Sequence, residues 1–224
     1  ANAHLADAYF EVRAIAARYA DIFHLGALMR DPDETVRLQV ALRVPQRQLL
    51  ALREDPHREV RIRVAQRLAP SELASLARDA DYQVRAIVAR RAPEGLLTLL
   101  MHDADLQVRQ EVARRIPMPA LWRMASDTAP EVRRIVAERL PVSLLDTLVA
   151  DADWTVRWEA AGRAHGAALE RLLNDAEPEV RERARERLDA MEPLGECVPS
   201  PIPRGDACQL GSGPALGTME PVHG

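Results

Sequence analysis

The chain has 224 residues, 47% hydrophobic and 29% charged, a balance that suits a folded protein and excludes a disordered or collagen-like polymer. Aromatics supply only 4%, and alanine, leucine, valine and arginine dominate, which favours closely packed helices over a sheet-based core. The net charge of −4 argues against a dedicated nucleic-acid binder, and no apolar run approaches the roughly 18–20 residues that cross a bilayer.

The opening ANAHLADAYF lacks the basic and apolar parts of a secretion signal, which gives a cytoplasmic expectation. Because the chain starts with alanine and enters a repeat almost at once, further sequence is expected upstream of Ala1. From there the dipeptide Val-Arg recurs at Val12, Val36, Val60, Val84, Val108, Val132, Val156 and Val180, always 24 residues apart. An aspartate stands five residues before each valine, from Asp7 and Asp31 through Asp151 and Asp175. A leucine follows thirteen residues after the valine in seven units, from Leu25 to Leu169, with another apolar residue three further on. Such a period is the signature of a repeat array, with units starting near residues 7, 31, 55, 79, 103, 127, 151 and 175.

Each unit reads as two helical pieces. Asp33, Asp81, Asp105 and Asp153 are expected N-caps of the first. Pro130 and Pro178 fall where a first-turn proline is welcome. Pro45, Pro93, Pro117 and Pro141, and Pro70 one position later, are expected to end it. About eight residues then remain before the next aspartate, room for roughly two turns of α-helix or a longer 3₁₀ segment, so 3₁₀ or mixed character is expected there. No unit can enclose its own apolar face, so the units must stack. The fold class is therefore all-α: a solenoid over residues 1–192. The eighth unit, with ERARERLDAME and no leucine pair, reads as a terminal cap. From Pro193 to Gly224, 12 of 32 residues are glycine or proline, the composition of an irregular tail.

The pattern D-x-x-x-x-V-R-x-x-V-A-x-R, a helix-ending proline and L-x-x-L at a strict 24-residue period resembles the leucine-rich repeat variant family over residues 7 to about 190. The resemblance implies alternating α- and 3₁₀-helices wound into a right-handed superhelix. It also implies an iron–sulfur connection, because some members carry an N-terminal cysteine-rich segment that binds a [4Fe–4S] cluster. Residues 5–25 resemble the stretch where that segment meets the first repeat. No cysteine precedes Cys197, so cluster ligands are expected upstream of Ala1. Cys197 and Cys208 are the only thiols available as metal ligands in the chain; their wide spacing differs from ferredoxin-type sites and reads as free thiols in the tail.

The arginine after each valine lies about 100° round the helix from it, inside the apolar arc. There a guanidinium must be paired. The repeated aspartate is the expected partner, within the unit or across to its neighbour, and Asp103 is the expected answer to Arg109. A row of exposed arginines offered to phosphates is the other reading. A second arginine column, seven after the valine, includes Arg91, Arg115 and Arg139. It either caps helix C-termini or forms a basic stripe for nucleic acid or an acidic partner. Trp154 and Trp158 lie one turn apart on a single helix face, as packing side chains or as a partner hot spot. No metal-binding His pair, Gly-x-Ser-x-Gly or phosphate-binding glycine loop occurs. The expected function is a non-enzymatic scaffold with a protein partner, no small-molecule substrate and no membrane. Nucleic-acid binding along an arginine-lined edge is the alternative.

Overall fold

A computed structural model describes Ala1–Met191 as one compact unit. The expected tail, with Cys197 and Cys208, lies outside the described residues. The described chain is all-helical, a right-handed superhelical solenoid of eight 24-residue units. The first helices of the units are α1 (Phe10–Tyr19), α2 (Glu34–Arg43), α3 (Arg58–Arg67), α4 (Tyr82–Arg91), α5 (Leu106–Ala113), α6 (Pro130–Arg139), α7 (Trp154–Ala161) and α8 (Pro178–Met191). The second pieces are short and mixed. Ile22–Arg30, Pro70–Leu76 and Val142–Thr147 are 3₁₀. Gln46–Leu52 and Ala120–Ser126 pass from an α-turn into 3₁₀, and Gly166–Leu172 is α-helical.

Local chemistry sets these boundaries. The carboxylates of Asp33, Asp81, Asp105 and Asp153 accept the amide two residues on at each helix start, satisfying an otherwise orphaned donor. At the other end Val44, Ala92 and Leu140 are extended, as residues before proline prefer. In unit 3, α3 ends at Arg67 in the same register with Leu68 extended although Ala69 rather than proline follows, and Pro70 opens the next 3₁₀ segment. In unit 8 no proline follows Arg187, and α8 runs on to Met191.

The core consists of three repeated layers. The unit valines Val36 to Val180 and the small residues four positions later, Val40 to Ala184, are buried. Both leucines of each L-x-x-L pair are buried as well, from Leu25 and Leu28 to Leu169 and Leu172. An alanine five residues after the valine is fully buried in seven units, from Ala17 to Ala161, and its small size lets successive helices approach closely. Successive α-helices pack directly on one another, whereas successive short segments touch only sparsely. The α-helices therefore form one closely packed side of the array and the short segments the other.

What joins the units is the arginine after the valine. Its Nε and Nη2 donate to both carboxylate oxygens of the aspartate 18 residues ahead, in the next unit. The seven pairs are Arg13–Asp31, Arg37–Asp55, Arg61–Asp79, Arg85–Asp103, Arg109–Asp127, Arg133–Asp151 and Arg157–Asp175, all with Nε–Oδ2 distances of 2.7–2.8 Å. Nη1 meanwhile donates to two backbone carbonyls of its own unit's turn, for Arg109 those of Asp103 and Ala104. This corrects the expectation that Asp103 answers Arg109 through its side chain. The carboxylate of Asp103 belongs to Arg85, and only its carbonyl serves Arg109. The helical rise carries the arginine away from its own aspartate and towards the following turn. A bidentate charged pair is among the stronger hydrogen-bonded contacts a protein makes, and four of the five guanidinium donors are satisfied at once.

The Arg13 and Arg157 guanidiniums hold Asp31 and Asp175 below the usual carboxylate range, against burial. Burial alone would raise Asp103, but the Arg85 guanidinium and the Asp105 amide bring it down. A carboxylate depressed in the folded state contributes stability that is full above its unfolded value, here 3.8, and is lost as pH falls through the folded value. The urea midpoint should hold nearly level from pH 7 down to about pH 4 and fall steeply below it. A decline that is already complete by pH 5 would show that the ladder carboxylates are not held in this way.

Candidate interaction surface

The second arginine column is spent inside the array. Arg43, Arg67, Arg91, Arg115, Arg139 and Arg163 each donate Nη1 to the carbonyl of the buried alanine in the preceding unit, at 2.5–2.7 Å. Arg91 and Arg115 add a bond from Nη2 to Leu68 and Ala92, and Arg139 a second from Nη1 to Ile116. Each guanidinium thus caps the C-terminus of the preceding α-helix, where carbonyls lack partners and the helix dipole favours a cation. The structure places Arg91, Arg115 and Arg139 at these inter-unit caps, with their donors turned towards the backbone.

With both arginine columns engaged, the remaining charges are spread over the short segments and the α-helices; on the α-helices of units 1–7 they fall at the fourth, fifth, eighth, ninth and twelfth positions of the unit. These positions form the outer face of the α-helical side. The fourth position differs from unit to unit: it is Phe10, Glu34, Arg58, Tyr82, Leu106, Pro130, Trp154 and Pro178 in turn. Charge is also segregated along the face. Units 3–5 present Arg58, Arg63, Arg90 and Arg114 against Glu59 and Glu111. Units 6–8 present Glu131, Glu138, Glu159, Glu179, Glu182 and Glu186 against Arg134 and Arg183 alone.

The acidic half holds the tryptophan pair. Trp154, the first residue of α7, is 43% exposed. Trp158 is half-buried and packs on the small core cluster of Val149, Ala160, Leu169 and Val180. The Arg183 guanidinium lies over the Trp158 ring, 4.9 Å from its centroid. Gly162 makes the room: a Cβ there would stand 2.8 Å from Arg183 Nε. That Nε is buried without a hydrogen-bond partner, so the ring is its principal partner, a cation–π contact. Glu159, beside Trp158, makes no ion pair among the described residues. Burial and the neighbouring Glu138 push its carboxyl upward, against Arg134 and Arg183.

A sequence profile described as Leucine rich repeat variant matches residues 82–105, which is one unit with its α4 helix and following turn. The fold is similar to a solved leucine-rich repeat variant described as having a novel repetitive protein structural motif. That structure is 48% identical, with a TM-score of 0.79, over 83% of this chain and 79% of the other. The chain belongs to the leucine-rich repeat variant family. A condensin Cnd3–Cnd2 subcomplex from S. pombe is 18% identical with a TM-score of 0.39, over 80% of this chain and 28% of the other, a likeness too loose to carry an argument. No curated protein sequence matches the chain.

The cluster ligands carried by some members of the leucine-rich repeat variant family are expected upstream of Ala1, not among these residues. The described residues do not fit a [4Fe–4S] cluster: they contain no cysteine and no group of three His, Cys, Asp or Glu placed to hold a metal. The two ends of the array differ as well. Unit 1 has Tyr19 where later units have the capping arginine, and Tyr9, Ile15, Tyr19 and Phe23 are exposed. Unit 8 has Arg185 where the other units have the buried alanine. The charge segregation of the α-helical face escaped the sequence reading. It emerges only once the two buried arginine columns are subtracted from the composition.

Capping and surface roles give different stability effects. Arg115→Ala removes two charged hydrogen bonds to the preceding helix and should cost about 2 kcal/mol. Trp154→Ala should cost less than about 1 kcal/mol, as surface substitutions do. Urea unfolding of both variants checks this order.

Proposed function

We propose that this chain is a non-enzymatic cytoplasmic scaffold that binds a protein partner along its α-helical face. One observation carries the reading. The ladder and cap residues are nearly uniform from unit to unit and spent on stacking, while the fourth position of the unit, at the start of each α-helix, carries Phe10, Tyr82, Leu106 or Trp154 in some units and Glu34 or Arg58 in others. A solenoid whose recurring residues hold it together and whose α-helices carry differing side chains on their exposed side offers an extended recognition surface. Tryptophan and arginine, both present there, are favoured at binding hot spots. The repeat fold points to a scaffold rather than a catalyst, and among the described residues no helix is long and apolar enough to cross a membrane. By family resemblance the array would be the repeat part of an iron–sulfur protein, with cluster ligands outside the described residues.

A second reading, nucleic-acid binding, is favoured by the surplus of arginine at Arg58, Arg63, Arg90 and Arg114 on the α-helical face of units 3–5. The arginine-lined edge expected for it at Arg91, Arg115 and Arg139 is occupied by backbone carbonyls.

Photocrosslinking separates these readings. A crosslinking residue in place of Gln83, Gln107 or Thr155 probes the α-helical face, and one in place of Ser75, Thr98 or Ser143 probes the short segments. The scaffold reading expects a discrete protein adduct from the first set and none from the second. Adducts only from the second set would overturn it. Adducts only with nucleic acid, disappearing steeply as salt is raised, would establish the alternative.

A further inference from the structure

We propose that the acidic half of the α-helical face, over units 6–8, docks an extended arginine-containing segment of a partner protein, with one guanidinium seated on Trp154. The proposal deepens the protein-scaffold reading and rests on it.

The protein shows the required chemistry with its own residues. Arg183 lies on the Trp158 ring, so a guanidinium fits against an indole on this face. Trp154 lies one helical turn before it on the same side of α7, 43% exposed, and no cation of the described residues covers its ring. The internal pair is a filled copy of the arrangement, and Trp154 is the open one. An indole half in water gains most from a partner that is both planar and cationic, and arginine answers that description better than lysine.

The surrounding charge selects the same partner. Glu159 is partly desolvated and lies close enough to Glu138 for that charge to disfavour its ionisation further. A positive charge brought to this pair relieves both penalties. The exposed Glu179, Glu182 and Glu186 on α8 extend the negative field towards the end of the array. The same field repels phosphate, so nucleic acid is disfavoured here even if it binds units 3–5. A segment that crosses several α-helices in an extended form can meet one exposed side chain after another along the face.

The test uses the full chain and fluorescein-labelled dodecapeptides of alternating glycine and arginine, glycine and lysine, or glycine and glutamate, read by anisotropy at low salt. The arginine peptide should bind most tightly, the lysine peptide less, and the glutamate peptide not at all. Trp154→Ala should weaken arginine-peptide binding by about fivefold, in the range of one partly exposed cation–π contact. Glu138→Gln combined with Glu182→Gln should weaken it further and flatten its salt dependence, while Arg90→Ala in the basic half should leave it unchanged. Circular dichroism melts verify that each variant is folded. Absence of arginine-peptide binding, binding unaffected by Trp154→Ala, or equal binding of the lysine peptide would overturn the proposal. If a partner still crosslinks to the α-helical face while the arginine peptide fails, only this inference falls. If no partner crosslinks there, the underlying scaffold reading falls with it.

Discussion

A guanidinium at the edge of a helix stack has to be paired before it can leave water, and in this chain the pairing partner belongs to the next repeat. Each arginine after the unit valine grips its own turn through Nη1 and the following turn through Nε and Nη2. Seven consecutive pairs make a continuous ladder down one side of the array. Replacing such pairs with well-packed apolar residues is often neutral or favourable for stability, so bulk stability is a poor account of why they recur. The geometric account is stronger. The leucine and valine layers attract neighbouring units without specifying an exact offset, and a bidentate pair with two further carbonyl bonds admits only one.

The second arginine column works on the same principle at the other end of the helix. Arg115 closes the C-terminus of α4 from the outside, so each helix is finished by the unit that follows it. No unit is complete alone: its turn carboxylate needs an arginine from before, and its last carbonyls need one from after. Unit 8 departs from the rule, with Arg185 at the position of close helix approach.

Much of this architecture could be read in the sequence because a strict 24-residue period multiplies weak signals. A single Val-Arg pair says little, but eight at equal spacing fix the units, and proline and aspartate punctuation fix their ends to within a residue or two. The direction of the Arg109 pairing could not be read in that way. Asp103 and Asp127 are equivalent by sequence, and only the rise and curvature of the stack decide between them. The same reason hid the polarity of the α-helical face. Thirty arginines against thirty-four carboxylates look balanced until the buried columns are removed, and the imbalance that remains belongs to a handful of positions. Trp154 and Trp158 were visible as a pair, but their different fates depend on Gly162 and Arg183, which meet them only in three dimensions.

The ladder's cross-unit direction is most directly tested by two double-mutant cycles on one arginine. Arg109→Met is combined with Asp127→Asn in the first cycle and with Asp103→Asn in the second, and unfolding free energies are measured in urea. Side-chain pairing across units predicts a coupling of about 2 kcal/mol for Arg109 with Asp127 and close to none with Asp103. A larger coupling with Asp103 than with Asp127 would mean that the charge is settled within each unit, and that the repeats are joined by their apolar layers alone.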